Sequence, residues 1–402
     1  MAWRQGEEKL DRGTAKPELL YIVAGTEPWK FFGEICRSLH GRRFNFTFLF
    51  LHPDESLIAG ELRETGVPYH HIRFTSRLHL PGAMCKIFQF CRRQHYDLVH
   101  THFMNACLSG LTGSRFAGVK IRIHTRHHSS PHSYSGRLRR QLLYDQINNR
   151  SSTAIIAPCA DVRRRLIEEG VSPDRIELIH HGFDLNAFCN VPEERIRSVA
   201  QKYGIRLEGP VIGASARFIP TKGVQHIVEA FRRLLPAYPK AQLVLANARG
   251  EFADVRAGIS QLPPGSHVEV PYELDNFALY RLFNVFVHVP VAGWVEGFGQ
   301  VYVEAMAAGI PSIFTKAGIA HELLRHGENA WVVDYEDPGQ IHQALLVLLS
   351  DPGLRSRLAR QARSDVVQEF GHHQHVARLA SFYDRLLGVP GATPIVESLA
   401  VR

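Results

Sequence analysis

The stretch Glu296-Gly297-Phe298-Gly299-Gln300-Val301-Tyr302-Val303-Glu304-Ala305-Met306-Ala307-Ala308-Gly309-Ile310-Pro311-Ser312-Ile313 decides the reading of this chain. Two carboxylates, Glu296 and Glu304, stand eight residues apart around a Gly-Phe-Gly turn. The turn opens a helix predicted over Val301–Ala308, which Gly309 and Pro311 bring to an end. A helix start leaves backbone N–H groups without intrahelical partners, and these attract anions such as phosphate. Glycines at that point let a ligand approach the backbone closely. One acid lies in the loop and the other inside the helix, so both can face a polar ligand resting on the N-terminus. A sugar nucleotide has matching parts, a diphosphate for the N–H groups and hydroxyls for the acids.

Working upstream, Gly213-Ala214-Ser215-Ala216-Arg217-Phe218-Ile219-Pro220-Thr221-Lys222-Gly223-Val224 reads as a strand, a loop and a helix start. Arg217 and Lys222 put two cations on one loop at the carboxyl edge of a sheet. Such a pair neutralises a diphosphate, and Arg does so through two hydrogen bonds. Charge that builds on a leaving nucleoside diphosphate is then stabilised more in the transition state than in the ground state.

Further out, short β-rich runs alternate with helical stretches. Leu19–Ala24, Phe44–Leu51, Asp97–Thr101, Val119–Thr125, Thr153–Ala157 and Ile176–His180 read as buried strands. Val211–Ala216, Gln242–Ala246, His267–Val270, Val285–Val289, Ser312–Phe314 and Trp331–Val333 repeat the theme. Helices are predicted at Trp29–Leu39, Pro81–Arg93, Glu193–Tyr203 and Val224–Leu235, and from Asp351 to about Leu387. The pattern is that of parallel sheets covered by helices, in two α/β domains.

Glu296-Gly297-Phe298-Gly299 followed by Glu304-Ala305-Met306-Ala307-Ala308-Gly309-Ile310-Pro311 resembles the E-x7-E signature of retaining glycosyltransferases of family GT4. The Arg217–Lys222 loop resembles that family's donor-phosphate loop, and Thr315-Lys316-Ala317-Gly318-Ile319-Ala320-His321-Glu322 also matches. The resemblance runs from about Leu19 to Leu387. It implies a GT-B fold, two doubly wound Rossmann-like domains facing each other across a cleft. The implied division is a disordered tail over 1–16, an acceptor-side domain over 17–190, a donor domain over 205–372, and a helix over 373–389 returning to the first domain.

The resemblance further implies a nucleoside-diphosphate sugar as donor, UDP- or GDP-linked. It implies a saccharide, lipid-linked or small-molecule acceptor, and neither metal nor cofactor. Arg217, Lys222, Glu296 and His127 are its catalytic candidates. Gly25, Arg217, Lys222, Gly297, Phe298, Gly299, Gln300, Val301 and Glu304 are its donor-binding candidates. A His at the end of a first-domain strand lines the cleft in the family; His127 is the better register match and His128 the alternative. Where relatives carry a Gly pair after the first strand, this chain has Gly25-Thr26. His181-Gly182-Phe183-Asp184 resembles the family's Asn-Gly-Val-Asp turn with His in place of Asn, and turn chemistry alone explains Gly182 and Asp184. Glu322 reads as structural.

Composition is compatible with this. The chain has 402 residues, 45% hydrophobic and 21% charged, enough for two soluble domains. No run of about 18 apolar residues suggests a spanning helix, and the polar N-terminus lacks a signal-peptide core. A cytoplasmic location follows, with peripheral attachment to the inner face of the membrane as an option. Six cysteines without a Cys-x-x-Cys pair read as reduced thiols. The net charge of +8 is scattered along the chain without a nucleic-acid-binding motif, and suits an anionic substrate or membrane surface.

Three competing readings come from the same residues. The clustered His100, His102, His124, His127, His128 and His132 suggest either a metal site or polar lining, and zinc needs three or four ligands in fixed geometry. Gly136–Asn148, with Leu138, Leu142, Leu143 and Ile147 on one face beside Arg137, Arg139 and Arg140, reads either as a membrane-docking helix or as an amphipathic helix packed on its own domain. Two other functions use the same folds, a sugar-nucleotide epimerase and a non-enzymatic binder of sugar nucleotide or nucleic acid.

Overall fold

Long apolar runs set the strands. In the computed structural model, which describes residues 16–24, 30–53, 57–129 and 138–389, seven strands form one sheet. They are β1 (Glu18–Val23), β2 (Asn45–His52), β3 (Tyr69–Arg73), β4 (Leu98–His102), β5 (Ile121–Thr125), β6 (Ala154–Ala157) and β7 (Ile176–Leu178). Their order is β3-β2-β1-β4-β5-β6-β7. A second sheet holds β8 (Val211–Ser215), β9 (Gln242–Ala246), β10 (His267–Val270), β11 (Val285–His288), β12 (Ser312–Phe314) and β13 (Trp331–Val332), in the order β10-β9-β8-β11-β12-β13. Neighbouring strands of the second sheet run parallel. The apolar stretches of β9 and β11 are buried along their whole length because helices cover both faces of such a sheet.

Both sheets reverse their winding direction at one point, between β1 and β4 and between β8 and β11. Open α/β sheets bind ligands outside the carboxyl ends of the strands at such a switch point. In the second sheet β8 and β11 pair side by side, Val285 opposite Ile212 and Phe286 opposite Gly213. The Arg217 loop leaves β8 and the Glu296 loop leaves β11. Topology therefore brings together two motifs far apart in sequence.

The described residues of 1–124, 147–154 and 383–392 form one compact unit, and those of 125–146, 155–382 and 393–402 another. In the first, Leu20, Ile22, Leu49, Val99 and Ile87 make an aliphatic core. Tyr21, on the other face of β1, donates to or accepts from Tyr383, whose hydroxyl also meets His100 Nδ1 at 2.6 Å. Tyr383 comes from the last turn and a half of the helix His372–Leu387, and the adjacent Asp384 pairs with Arg43.

In the second unit the helix Val224–Leu234 lays Ile227, Val228, Phe231 and Leu234 against Val287, Ile313, Leu345 and Leu348. Each such fully buried side chain contributes about 1.5–3 kcal/mol relative to exposure. The opposite core collects Tyr280, Phe286, Tyr302, Val303 and Met306.

One strand is additional to those expected, and one helix differs from its expectation. Strand β3 carries no apolar run, since it is an edge strand whose Ile72 alone is buried. On the helix Leu138–Ser151, Leu143 is 53% exposed and Leu142 and Ile147 are half-buried, while Asp145, Asn148 and Asn149 are buried. The most buried residues of the helix are polar, and one of them, Asp145, is ion-paired with Arg126. Gly136 and Arg137 of that expectation lie outside the described residues. No helix among the described residues is long and apolar enough to cross a membrane.

Candidate active site

The loop after β8 is shaped by one glycine. Gly223 has φ 70° and caps the helix Val224–Leu234, following the 3-10 turn Pro220–Lys222. A Cβ at this position would stand 1.9 Å from the carbonyl oxygen of Val289, the residue after β11. Val291 N–H also donates to the Thr221 carbonyl at 3.0 Å. The two loops are thus stitched backbone to backbone. Gly223→Ala is expected to lower stability by about 1–3 kcal/mol from the left-handed backbone alone. It also has to part the loops, so differential scanning calorimetry and activity should fall together.

That stitching delivers Lys222 to Glu296. The ammonium Nζ lies 2.6 Å from Glu296 Oε1, and Nε2 of His288 donates to the same oxygen at 3.0 Å. Glu296 is 8% exposed and His288 2%. Burial by itself pushes the Glu296 carboxyl up, yet the Lys222 charge and the His288 hydrogen bond outweigh it and hold the group well below the usual carboxylate range. Burial pushes His288 down, against the pull of Glu296. The imidazole is therefore neutral near pH 7, with its proton on Nε2, since a carboxylate can only accept.

Gly299 (φ 87°) caps the helix Gln300–Ala307, and among the described residues the N–H groups of Gly297, Phe298, Gly299 and Gln300 donate to no protein acceptor. These donors carry the positive end of the helix dipole. One turn in, Glu304 accepts from the Tyr280 hydroxyl at 2.9 Å. It is only partly exposed, and burial raises its carboxyl although Tyr280 donates to it. Arg217 is exposed, and its side chain takes part in no ion pair or hydrogen bond among the described residues. Of the two cations expected on one anion, Arg217 alone is uncommitted, while Lys222 already spends one of its three N–H donors on Glu296.

Phe298, expected at the donor, turns its ring into an aromatic cluster with His181 (centroids 4.9 Å), Phe183 and Phe370. It is 5% exposed, which leaves its backbone as the part a ligand can meet. Gln300 and Val301 are half-buried on the first turn of the helix.

The two candidate histidines are separated by the structure. His127 is half-buried and its ring stacks on His181 at 5.6 Å, with burial pushing His181 down to about 3. Its carbonyl passes so close to Gly297 that a Cβ there would stand 2.2 Å away. His128 instead donates from Nε2 to Asp145 at 3.1 Å. Asp145 also pairs with Arg126 at 3.0 Å, and Arg126 grips Glu169 through both terminal nitrogens. Ser129 donates to the Trp294 carbonyl, two residues before Glu296. An ion cluster on one side and the Gly297 contact on the other hold the 126–129 segment beside the acidic loop.

The remaining motifs make contacts within the fold. Glu322 accepts from the Ala160 N–H at 2.6 Å and from His180 at 3.1 Å. Gly182 lies where a Cβ would stand 2.6 Å from His375, and Asp184 caps the turn Leu185–Phe188 through the Ala187 N–H. The His100 and His102 rings lie 4.2 Å apart against Tyr21. No group of three or more His, Cys, Asp or Glu side chains is arranged to hold a metal among the described residues. Gly25 and His132 lie outside those residues. Sequence reasoning passed over His288 and Tyr280; the one signal was a His at the end of the apolar run Val285–His288.

The two parallel α/β sheets agree with the fold of known proteins. A model described as glycosyl transferases group 1 matches residues 196–365, and a Glycosyltransferase Family 4 model matches 30–187. The chain is 24% identical to N-acetyl-alpha-D-glucosaminyl L-malate synthase of Bacillus anthracis, over 74% of this chain and 77% of that protein. It is 24% identical to D-inositol 3-phosphate glycosyltransferase of Jonesia denitrificans, over 76% and 77%. The crystal structure of Anabaena HepE in complex with UDP-glucose superposes with a TM-score of 0.78 at 21% identity, covering 92% of this chain and 99% of HepE. The chain is a glycosyltransferase of family GT4 with the GT-B fold.

Proposed function

We propose that the chain is a retaining hexosyltransferase that moves a sugar from a nucleoside-diphosphate sugar to an acceptor hydroxyl. The observation that carries this reading is the Lys222–Glu296–His288 knot beside four unpaired N–H groups at a helix N-terminus. In this reading Arg217, the remaining donors of Lys222 and the N–H groups of Gly297 to Gln300 hold the diphosphate. They stabilise the charge that grows on it as the glycosidic bond breaks. Glu304, braced by Tyr280, accepts from the ribose hydroxyls, and Glu296 from the transferred sugar. His127 lies by the anomeric carbon. The acceptor hydroxyl attacks from the face that the leaving group vacates, and a phosphate oxygen of the donor takes its proton. The acceptor is a saccharide, lipid-linked or small-molecule hydroxyl.

HepE has been seen with UDP-glucose, and this supports a UDP-linked donor as the first to try. A thermal-shift series with UDP, GDP, ADP and their sugars tests it. A ligand at 100 times its dissociation constant stabilises by about 2.7 kcal/mol, so the true nucleotide raises the melting temperature and the others do not. Donor turnover that depends on acceptor separates a transferase from an epimerase. An NMR assignment of the product's anomeric centre tests retention, and an inverted centre overturns it.

A further inference from the structure

His288 lies outside the E-x7-E signature, yet it touches the signature's first acid. We propose that His288 is a positioning residue for sugar transfer: with Lys222 it saturates Glu296 Oε1, so that Oε2 alone is presented to a hydroxyl of the transferred sugar. This rests on the reading of Glu296 given above.

Three observations carry it. First, both donors converge on one oxygen, Lys222 Nζ at 2.6 Å and His288 Nε2 at 3.0 Å, while Oε2 accepts from no described residue. Two fixed donors on one oxygen lock the rotation of the carboxylate and leave the other oxygen with its lone pairs free. Second, the imidazole is itself fixed. It stands on β11, 2% exposed, with its ring edge-on to Tyr302 at 5.0 Å, and Tyr302 is anchored through its hydroxyl to the Thr315 carbonyl at 2.9 Å. Third, a polar ring in the otherwise apolar strand Val285–His288 carries a desolvation cost that packing alone does not call for. A leucine fills such a position without that cost. The proton on Nε2 makes the arrangement a donor near neutral pH, and Glu296 stays an acceptor.

The test uses the full chain and a panel of UDP-glucose, UDP-N-acetylglucosamine, GDP-mannose and ADP-glucose, taking the donor that the wild type turns over fastest. His288→Leu removes the donor at similar volume; His288→Gln restores an N–H near the Nε2 position. A hydrogen bond to a charged group is worth about 1.5–3 kcal/mol, so His288→Leu is expected to lower kcat/KM about 10- to 150-fold. Calorimetric affinity for the free nucleoside diphosphate, which lacks the sugar, should move less than about twofold, the scatter expected of an uncoupled site. His288→Gln should recover most of the loss. In a Glu296→Gln background His288→Leu should cost little more, because the carboxylate that the hydrogen bond orients is already gone.

Equal weakening of nucleoside diphosphate and sugar nucleotide, a Gln variant no better than Leu, or additive losses with Glu296→Gln overturns the proposal and leaves the site reading standing. Full activity in Glu296→Gln overturns the reading of Glu296 itself. A wild type that turns over none of the panel overturns both.

Discussion

Lys222→Ala is expected to lower kcat/KM about 10²- to 10³-fold, the range that removal of one preorganised donor from a transition state usually costs. Two losses coincide. In the proposed mechanism the leaving diphosphate loses one of its two side-chain cations, and Glu296 loses the partner 2.6 Å away that holds its carboxylate. Lys222→Arg keeps the charge but replaces a compact ammonium with a planar fork that does not fit a single oxygen. It should bind nucleoside diphosphate nearly as well as wild type while transferring sugar slowly. Full activity in Lys222→Ala overturns the assignment of the loop.

The same substitution has a signature in stability. Glu296 is held below its ordinary range in the folded protein, chiefly against burial by Lys222 and His288. A depressed carboxylate contributes stability that is present above the unfolded value, about 4.3 for Glu, and is lost as pH falls through the folded value. Without Lys222 the opposing burial dominates. The stability gap between wild type and Lys222→Ala should therefore be widest near neutral pH and narrow on acidification, as urea melts at several pH values would show. A gap independent of pH would mean that the lysine stem, not its charge, matters there.

How much of this was legible in the sequence depends on where each signal lives. The strands Gln242–Ala246 and Ser312–Phe314 are bounded as the apolar runs predict, because a buried parallel strand has no solvent face to interrupt the run. Tyr69–Arg73 was invisible for the opposite reason: an edge strand with one buried residue leaves no run to read. The helix Leu138–Ser151 misled because its leucines suggested a stripe, whereas Arg126, distant in sequence, draws Asp145 inward. A periodicity argument contains no such partner.

At the site, residue types and turns were readable, pairings were not. Lys222 and Glu296 are 74 residues apart, and only the β8–β11 adjacency shows that they bond to each other. Adjacent histidines such as His127 and His128 differ in what surrounds them, and Asp145 takes one and not the other.

Arg126→Met is expected to cost about 3–5 kcal/mol of stability, the penalty for removing one partner from a buried ion pair. Arg126 is the cation between Asp145 and Glu169. The side chains are 3%, 2% and 10% exposed, so neither carboxylate has water to turn to. Arg165 reaches Glu169 at 3.4 Å and relieves that acid in part; His128, kept neutral by burial and by Arg126, offers Asp145 a hydrogen bond but no charge. The cost should therefore concentrate on Asp145. Asp145→Asn added to Arg126→Met removes the orphaned charge and should recover part of the loss, a non-additivity that a double-mutant cycle in urea measures. The consequence for transfer is indirect. The Arg126 side chain also donates from Nε to the His128 carbonyl at 3.1 Å, so its loss frees the 126–129 segment. That segment supplies the His127 carbonyl packed on Gly297 and the Ser129 hydroxyl bonded to Trp294, and both contacts brace the loop that carries Glu296. Arg126→Met should thus lose turnover at temperatures where it is still folded. A variant that unfolds within about 1 kcal/mol of wild type, the usual effect of a surface pair, would mean that the cluster carries neither the stability nor the bracing assigned to it.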